Sequence, residues 1–596
     1  MIQLVIIILL LATFMAPSNR IYFLKKEEEI FMKLRFSLLA AFMALLLFVL
    51  AACSGDGGAN TNENGGEDGD PVETDENANE EEANSEDVNA SGEQVLVFAR
   101  GGDSESLDPG STTDGESSRV TKQVLEGLLD FEAESFDLKP GLAHDWEVSD
   151  DGLTYTFYLE EGVTFHDGTD FNAEAVKINF ERWADPEHEF AFTDEGYVYS
   201  EYGTMFGGYK GEEGHVIDEI KVVNDHEIQF ILNQPLGFFL QNMGMSYFAI
   251  TSPAALKEFG PKINENPVGT GPFKFVSWSK DDSIILDKFE DYRVEGLPKL
   301  NRVIFEVIPD NAARLIALRS GEVDIMDGLN PDDAAAVEAE EGLELLTRTE
   351  NNFGYVGFNT QKEPFDKVEL RQAVNYAIDK QAIADALYAG YATTAKNPLP
   401  PGYLGYNDDV VGYEYNPEKA KELLAEAGFA DGLEVELWTM PVARPYMPDP
   451  ETVSQIVQNN LADIGITANI VREEWAPYLE KTLQGEHELF ILGWSGTNGD
   501  PDYFLSSLLH GSNVGSSNRN FYQNDEVDEL LDAAKRAVDQ DERADLYAQA
   551  QELISQDSPM VTLVHSTPVM ATTSNVLNYV PHPSTSESLE EVELQN

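Results

Sequence analysis

Residues 433–471 read LEVELWTMPVARPYMPDPETVSQIVQNNLADIGITANIV, and their pattern decides the fold. Two apolar runs with strand-like alternation, 433–438 and 467–471, flank residues 451–464, where apolar side chains recur every three or four positions. This spacing predicts a strand, an amphipathic helix and a second strand. The next apolar run, 489–492, is continuous, as expected for a strand buried on both faces of a sheet. The stretch therefore predicts a βαβ arrangement and an α/β fold.

Each of the three predicted strands ends in an unusual polar and aromatic loop, at 440–446, 473–475 and 493–503. Ligands of open α/β sheets bind beyond the carboxyl ends of the strands, so we expect these loops to form a polar pocket with aromatic walls. Trp475 and Trp494, taken alone, are as typical of a packed core as of a ligand contact. Arg444 lies between two prolines and is better explained as a ligand contact.

The composition is strongly acidic. The chain has 38 Lys and Arg against 108 Asp and Glu, a net charge of −70. Residues 54–93 carry fourteen of these acids with no basic or aromatic residue, a pattern typical of a disordered, extended tether. The remaining chain is acidic as well. This charge argues against binding to nucleic acid or to anionic lipid, and it fits a saline or alkaline exterior.

The N-terminal region has the pattern of a secretory signal. A second apolar run, 36–52, follows Met32-Lys33-Leu34-Arg35 and closes on Leu50-Ala51-Ala52-Cys53. The closing residues resemble the bacterial lipobox, which implies cleavage before Cys53 and attachment of diacylglycerol to its thiol; the alternative is a plain transmembrane anchor. We expect translation to start at Met32, the alternative being an unusual leader with two apolar runs. On either interpretation, residues 1–52 are a leader.

No catalytic or metal-binding pattern is found in the sequence. There is no G-x-S-x-G elbow and no P-loop, and Ile491 occupies the place of the second histidine of a metalloprotease motif that His487-Glu488 could begin. Cys53 is the only cysteine, which excludes a disulfide framework and a thiolate metal site. We therefore expect no enzymatic activity, no metal and no cofactor.

Further motifs lie at residues 155–159, 162–168, 268–273 and 370–378, and at 397–401, 438–441 and 493–494. Together they resemble the family-5 extracellular solute-binding proteins, the oligopeptide, dipeptide and nickel branch, and the last three stretches are most similar to the dipeptide-binding members. The resemblance runs from about residue 94 to the end. It implies a two-lobed periplasmic-binding-protein fold of α/β type, with an extra domain inserted in the first lobe.

The resemblance also implies a division of the chain. Residues 53–93 are expected to form the lipidated cysteine and the tether. The first lobe is expected to be discontinuous and to comprise 94–136, 262–355 and 568–596. The inserted domain is expected at 137–261 and the second lobe at 356–567.

In the dipeptide-binding relatives, the arginine matched by Arg444 takes the ligand carboxylate, which suits the two parallel donors of a guanidinium. The resemblance implies that an aspartate of the Gly-Trp loop takes the ligand ammonium, and that position is Thr497 here. Either another acid supplies the charge, with Asp500 and Asp114 as candidates, or the ligand has no free amine there. The other expected contacts, in the same loops and in a first-lobe loop, are Tyr446, Trp475, Trp494, Thr112, Thr113 and Gly115.

The family function implied is the capture of peptides, most of all short dipeptide-like ones, by closure of the two lobes. The expected partners are the permease and ATPase subunits of an ABC importer and, through the lipid anchor, the outer face of the cell membrane of a monoderm bacterium. We expect a monomer. The alternatives are another carboxylate-bearing solute on the same fold (glutathione, haem or a metal chelate), a sugar, a surface sensor of such a solute, and, least favoured, a surface hydrolase.

Overall fold

The structure, a computed structural model, describes residues 94–595. The leader, Cys53 and the tether lie outside these residues. Within the described range no helix has both the length and the apolar character needed to span a bilayer.

The first lobe is built on a seven-stranded sheet. Its central strand, β1 (Val95–Arg100), runs parallel to both neighbours, and the outer strands pair antiparallel. The order is β12-β19-β11-β1-β10-β9-β8. The other strands are β8 (Phe273–Ser279), β9 (Ser283–Lys288), β10 (Arg302–Val307), β11 (Ile325–Met326), β12 (Leu343–Thr347) and β19 (Val569–Thr573).

Both faces of this sheet are buried by helices. Along β1 the side chains alternate: Leu96 and Phe98 share a core with one helix, and Ala99 shares a core with two others on the opposite face. This alternation explains why residues 95–99 of β1 are all apolar. The three helices are α1 (Gly115–Val124) on the first face and α6 (Asn311–Ser320) and α7 (Ala334–Glu338) on the second.

A separate antiparallel sheet with its own core lies between β1 and β8 in the chain. Its order is β4-β5-β7-β6, and it is preceded by a hairpin of two short strands, β2 (Leu129–Phe131) and β3 (Leu138–Pro140). We call this the inserted domain. Its strands and helices are β4 (Ala143–Val148), β5 (Thr154–Leu159), β6 (Ile217–Asn224), β7 (Glu227–Leu232), α2 (Ala173–Ala184), α3 (Ser200–Phe206), α4 (Phe239–Met243) and α5 (Pro253–Phe259).

The second lobe is built on a six-stranded sheet of order β14-β18-β13-β17-β15-β16. Strand β15 runs parallel to β16 and β17, with a helix between β15 and β16, so the predicted βαβ arrangement is confirmed. The strands are β13 (Asn352–Phe358), β14 (Ala392–Thr394), β15 (Leu433–Thr439), β16 (Ile466–Arg472), β17 (Leu489–Ser495) and β18 (Met560–Ser566).

Eight helices share one core with this second sheet. The helix between β15 and β16 begins with Pro450 after its cap Asp449, whose carboxylate accepts from the Thr452 amide at 3.0 Å. A proline in the first turn and an acidic cap both favour a helix start. The helices are α8 (Val368–Ala377), α9 (Lys380–Leu387), α10 (Pro417–Glu426), α11 (Pro450–Asp463), α12 (Trp475–Leu483), α13 (Asp502–Leu509), α14 (Asp525–Arg536) and α15 (Gln540–Asp557).

The chain crosses between the two lobes twice. It passes from β12 to β13 at 348–351 and returns from β18 to β19 at Thr567-Pro568. The final segment packs on the first lobe, where β20 (Val576–Leu577) pairs with β21 (Glu593–Leu594) and Val592 enters the core. The two crossings lie beside each other and delimit the cleft described next.

Candidate ligand-binding cleft

A cleft of about 580 Å³ lies between the lobes, next to the two crossings. Its first-lobe wall follows the carboxyl end of β1 and the start of α1, and its second-lobe wall follows the end of β15. This is the location that the sheet topology predicts for a ligand. The residues used below are Asp103, Asp114, Glu116, Asp327, Tyr388 and Arg444, all of which line the cleft.

Arg444 is exposed within this cleft and is held by a tight turn. Its amide donates to the Met447 carbonyl oxygen at 3.0 Å, and its own carbonyl oxygen accepts from the Met447 amide at 2.8 Å. The guanidinium carbon lies 5.4 Å from the ring centre of Trp475. Within residues 94–595 Arg444 forms no ion pair with a carboxylate. Its guanidinium is therefore available to take a carboxylate through two parallel hydrogen bonds.

The turn that carries Arg444 is fixed by its neighbours. The ring of Tyr446 lies on Gly493 so closely that a Cβ at Gly493 would be 2.1 Å from Tyr446 Cδ2, so only glycine fits there. The Tyr446 carbonyl oxygen accepts from the Tyr388 hydroxyl at 2.8 Å. Trp475 begins α12 and stacks on Tyr478 with an interplanar angle of 11°. These contacts position the guanidinium before any ligand arrives, which lowers the entropic cost of binding.

Acidic side chains line the opposite wall. Asp103, Glu116 and Asp327 are each paired with an arginine of the first lobe. Asp114, by contrast, has no such partner in the described part of the chain; its carboxylate caps α1 by accepting from the Ser117 amide at 2.8 Å. Among the described residues, Arg444 on one wall and Asp114 and Glu105 on the other line the cleft without an ion-pair partner, an arrangement that suits a zwitterion.

The other predicted residues of the first-lobe loop support the loop itself. Thr112 is buried and its hydroxyl donates to the Asp114 carboxylate. The Thr113 carbonyl oxygen accepts from the Tyr247 hydroxyl at 3.2 Å. Gly115 begins α1 where a Cβ would be 2.7 Å from the Thr585 hydroxyl oxygen. Of this loop, Asp114 is the residue that lines the cleft with Arg444.

Thr497 lines a second, smaller cavity of about 190 Å³ together with Lys122, Asp130 and Tyr247. Its Oγ1 is buried and has no hydrogen-bond partner within residues 94–595. Trp494 lies near the end of β17, before this loop, and its Nε1 donates to the Tyr503 carbonyl oxygen at 2.9 Å. The structure thus places Thr497 and Arg444 in the walls of two different cavities.

Asp500, one of the two acids proposed as candidates for the ligand ammonium, is buried and paired within the second lobe. It is 3% exposed, and Arg543 Nη2 donates to its two carboxylate oxygens at 2.9 and 2.8 Å. The charge of Asp500 is therefore already balanced within the second lobe. The sequence did not reveal this, because Arg543 lies 43 residues further along the chain.

Two tyrosines of the cleft were missed from the sequence. Tyr388 and Tyr391 follow α9 and line the cleft beside Arg444. The sequence signal is the glycine in Tyr388-Ala389-Gly390-Tyr391, because glycine favours a tight turn. In the structure Gly390 has φ 94° and Ala389 has φ 48°, the left-handed backbone of such a turn. Aromatic residues on such a turn are typical of a pocket rim.

Comparison with known proteins gives a consistent result. A family profile described as bacterial extracellular solute-binding proteins, family 5 Middle, matches residues 137–516. Heme-binding protein A of Haemophilus influenzae is 39% identical over 490 residues, which are 80% of this chain and 88% of that protein. The dipeptide-binding protein of Escherichia coli is 34% identical over 519 residues, 84% of this chain and 95% of that protein.

A solved structure shares the fold over the same length. The periplasmic binding protein DppA of Helicobacter pylori, ABC transporter-associated and in complex with the peptide STSA, has a TM-score of 0.74 at 35% identity, covering 84% of this chain and 98% of that one. Members of this family are binding proteins rather than enzymes, which confirms that prediction. The sequence, the two-lobed fold and the similar proteins agree that this chain belongs to the family-5 bacterial extracellular solute-binding proteins.

Proposed function

We propose that this protein captures short peptides in the interlobe cleft and delivers them to the permease of an ABC importer. The observation that carries the proposal is Arg444, a positioned guanidinium without a carboxylate partner in the described chain, facing a wall that holds Asp114. The similar proteins of Escherichia coli and Helicobacter pylori bind a dipeptide and the peptide STSA. A peptide carries the carboxylate that Arg444 would take.

Binding and closure follow from this arrangement. The ligand carboxylate bonds to Arg444 of the second lobe while the remainder of the ligand contacts the first-lobe wall. A ligand that contacts both lobes at once stabilises the closed form over the open one, because it gains all its contacts only there. The cleft of about 580 Å³ lies within the usual range for small-molecule sites and has room for varied side chains.

Other carboxylate-bearing solutes are the alternatives. Haem is one of them, because a haem-binding protein is among the similar proteins. Native mass spectrometry of the protein purified from peptide-rich medium, followed by titration with di- and tripeptides and with haemin, tests the proposal. We expect a co-purified mass in the range of a di- or tripeptide and competition by added dipeptide. Saturable haemin binding without dipeptide binding would contradict the proposal.

We further propose that Cys53 is lipidated and holds a monomeric protein on the outer face of the cell membrane. In a detergent partition experiment, the Cys53→Ala protein is expected in the aqueous phase, because no thiol remains to carry diacylglycerol. Ser54→Ala is the matched control and should stay in the detergent phase. A Cys53→Ala protein that still partitions into detergent would show that another segment is the anchor.

A further inference from the structure

The inserted domain is held firmly to the first lobe. Arg182 of α2 forms a bidentate ion pair with Asp108, which lies between β1 and α1; Nη1 and Nη2 of Arg182 are 2.9 and 2.6 Å from the two carboxylate oxygens. Both side chains are fully buried. The Ile250 amide also donates to the carbonyl oxygen of Glu126, just after α1, at 2.9 Å. The inserted domain therefore moves with the first lobe when the lobes open and close.

The inserted domain also contacts the second lobe, at the turn before α4. The Gly237 amide donates to the carbonyl oxygen of Lys535, near the end of α14, at 2.8 Å. The next residue, Phe238, is buried, and its ring centre lies 5.8 Å from Lys535 Nζ and 5.9 Å from the guanidinium carbon of Arg543 on α15. Two cations of the second lobe thus approach one aromatic ring of the inserted domain.

A second contact lies one helical turn further along. Asn498 Nδ2 of the second lobe donates to Asn242 Oδ1 on α4 at 3.1 Å, and both side chains are buried. When the lobes separate, the amides of Gly237, Asn242 and Asn498 can exchange these bonds for bonds to water, so opening has a small cost. Polar contacts of this kind are common between domains of one chain that move relative to each other.

The two backbones approach so closely that only glycine fits at position 237. A Cβ there would be 2.5 Å from the Ala537 carbonyl oxygen and 2.6 Å from Arg543 Nε, and its three nearest heavy atoms all belong to the second lobe. At Gly152 of the inserted domain a Cβ would be 2.6 Å from Val538 Cγ2 of the second lobe. A methyl group at position 237 would therefore obstruct the arrangement in which the lobes meet.

We infer that these contacts form a latch, through which the inserted domain stabilises the closed form of the protein without touching the ligand. The latch residues are Gly237, Phe238 and Asn242, and none of them lines the Arg444 cleft or the Thr497 cavity. They are positioning residues, because they set the free-energy difference between the open and closed forms. The affinity for a ligand that requires closure follows that difference.

The latch needs no ligand, so we expect the ligand-free protein to populate the closed form as well. This part of the inference is independent of the proposed function. The expected effect on dipeptide affinity rests on the proposed function, since it requires a peptide in the cleft.

The test places a wedge at position 237. Ligand-free Gly237→Ala should have a larger radius of gyration than ligand-free wild type by small-angle X-ray scattering, and it should bind Ala-Leu at least about tenfold more weakly by calorimetry. Gly412→Ala is the matched control, because a Cβ at Gly412 would approach only the Lys396 side chain, at 3.9 Å. It should equal wild type in both measurements.

Asn242→Ala removes one latch contact without adding a wedge. It should shift the ligand-free radius and the Ala-Leu affinity in the same direction as Gly237→Ala, by smaller amounts. Thermal melting distinguishes a latch from a fixed joint: opening relieves the clash, so Gly237→Ala should melt within a few degrees of wild type.

The outcomes separate this inference from the proposed function. Equal ligand-free radii of wild type and Gly237→Ala would overturn the latch. A Gly237→Ala protein that melted far below wild type but bound Ala-Leu equally well would overturn it too, because this is the behaviour of a fixed joint. If wild type bound no Ala-Leu while the ligand-free radii differed, the proposed function would fail and the latch would stand.

Discussion

Replacing Arg444 with alanine is expected to abolish measurable dipeptide binding while leaving the fold intact. The guanidinium forms no ion pair with a carboxylate of residues 94–595 and is exposed in the cleft, so its loss should change the free energy of unfolding by less than about 0.5 kcal/mol. Removing a charge-assisted partner from a closed cleft should cost about 2–5 kcal/mol of binding free energy, roughly 30-fold or more in Kd. Isothermal titration calorimetry and thermal melting measure the two quantities.

Two variants complete this experiment. Arg444→Lys should recover only part of the affinity, because an ammonium cannot make the two parallel hydrogen bonds of a guanidinium. Arg319→Ala is the matched control, since Arg319 pairs with Glu340 on the surface at 2.9 Å and lies outside the cleft. If Arg444→Ala bound dipeptide within a factor of about three of wild type, Arg444 would have no role in ligand binding.

Asp500→Asn is expected to lower the free energy of unfolding by about 3–5 kcal/mol, because it leaves the Arg543 charge buried without a counter-charge. Urea unfolding measures this loss. Protein that remains folded should bind dipeptide with nearly wild-type affinity, since the Asp500 carboxylate is directed at Arg543 and not at the cleft.

A double variant and a surface control make the assignment specific. Asp500→Leu combined with Arg543→Met should be less destabilised than Asp500→Asn, because it removes both buried charges. Asp408→Asn breaks an exposed pair with Lys396 and should cost less than about 1 kcal/mol. If the Asp500→Asn protein had normal stability but no longer bound dipeptide, Asp500 would be a ligand-binding residue.

The second lobe could be predicted well from the sequence because its signals are local. Apolar periodicity over 433–471 predicts two strands and a helix, and the structure has them within one residue of the expected positions. The position of Arg444 followed from the same reasoning, since it comes after the carboxyl end of a parallel strand.

The acids of the site could not be predicted in the same way. Whether an acid has an ion-pair partner depends on residues that are distant in sequence. Asp500 is paired with Arg543, whereas Asp114 forms no ion pair within residues 94–595. Charge pairing between residues that are far apart in sequence is a tertiary property that local patterns do not contain.

The central claim is that Arg444 holds the carboxylate of a short peptide in the interlobe cleft. The most direct measurement is a calorimetric titration of wild type and Arg444→Ala with Ala-Leu and with its C-terminal amide, which lacks the carboxylate. The account predicts that wild type binds the amide at least about 30-fold more weakly than the acid, and that Arg444→Ala no longer distinguishes them. Equal affinity of wild type for acid and amide, or no binding of either, would contradict it.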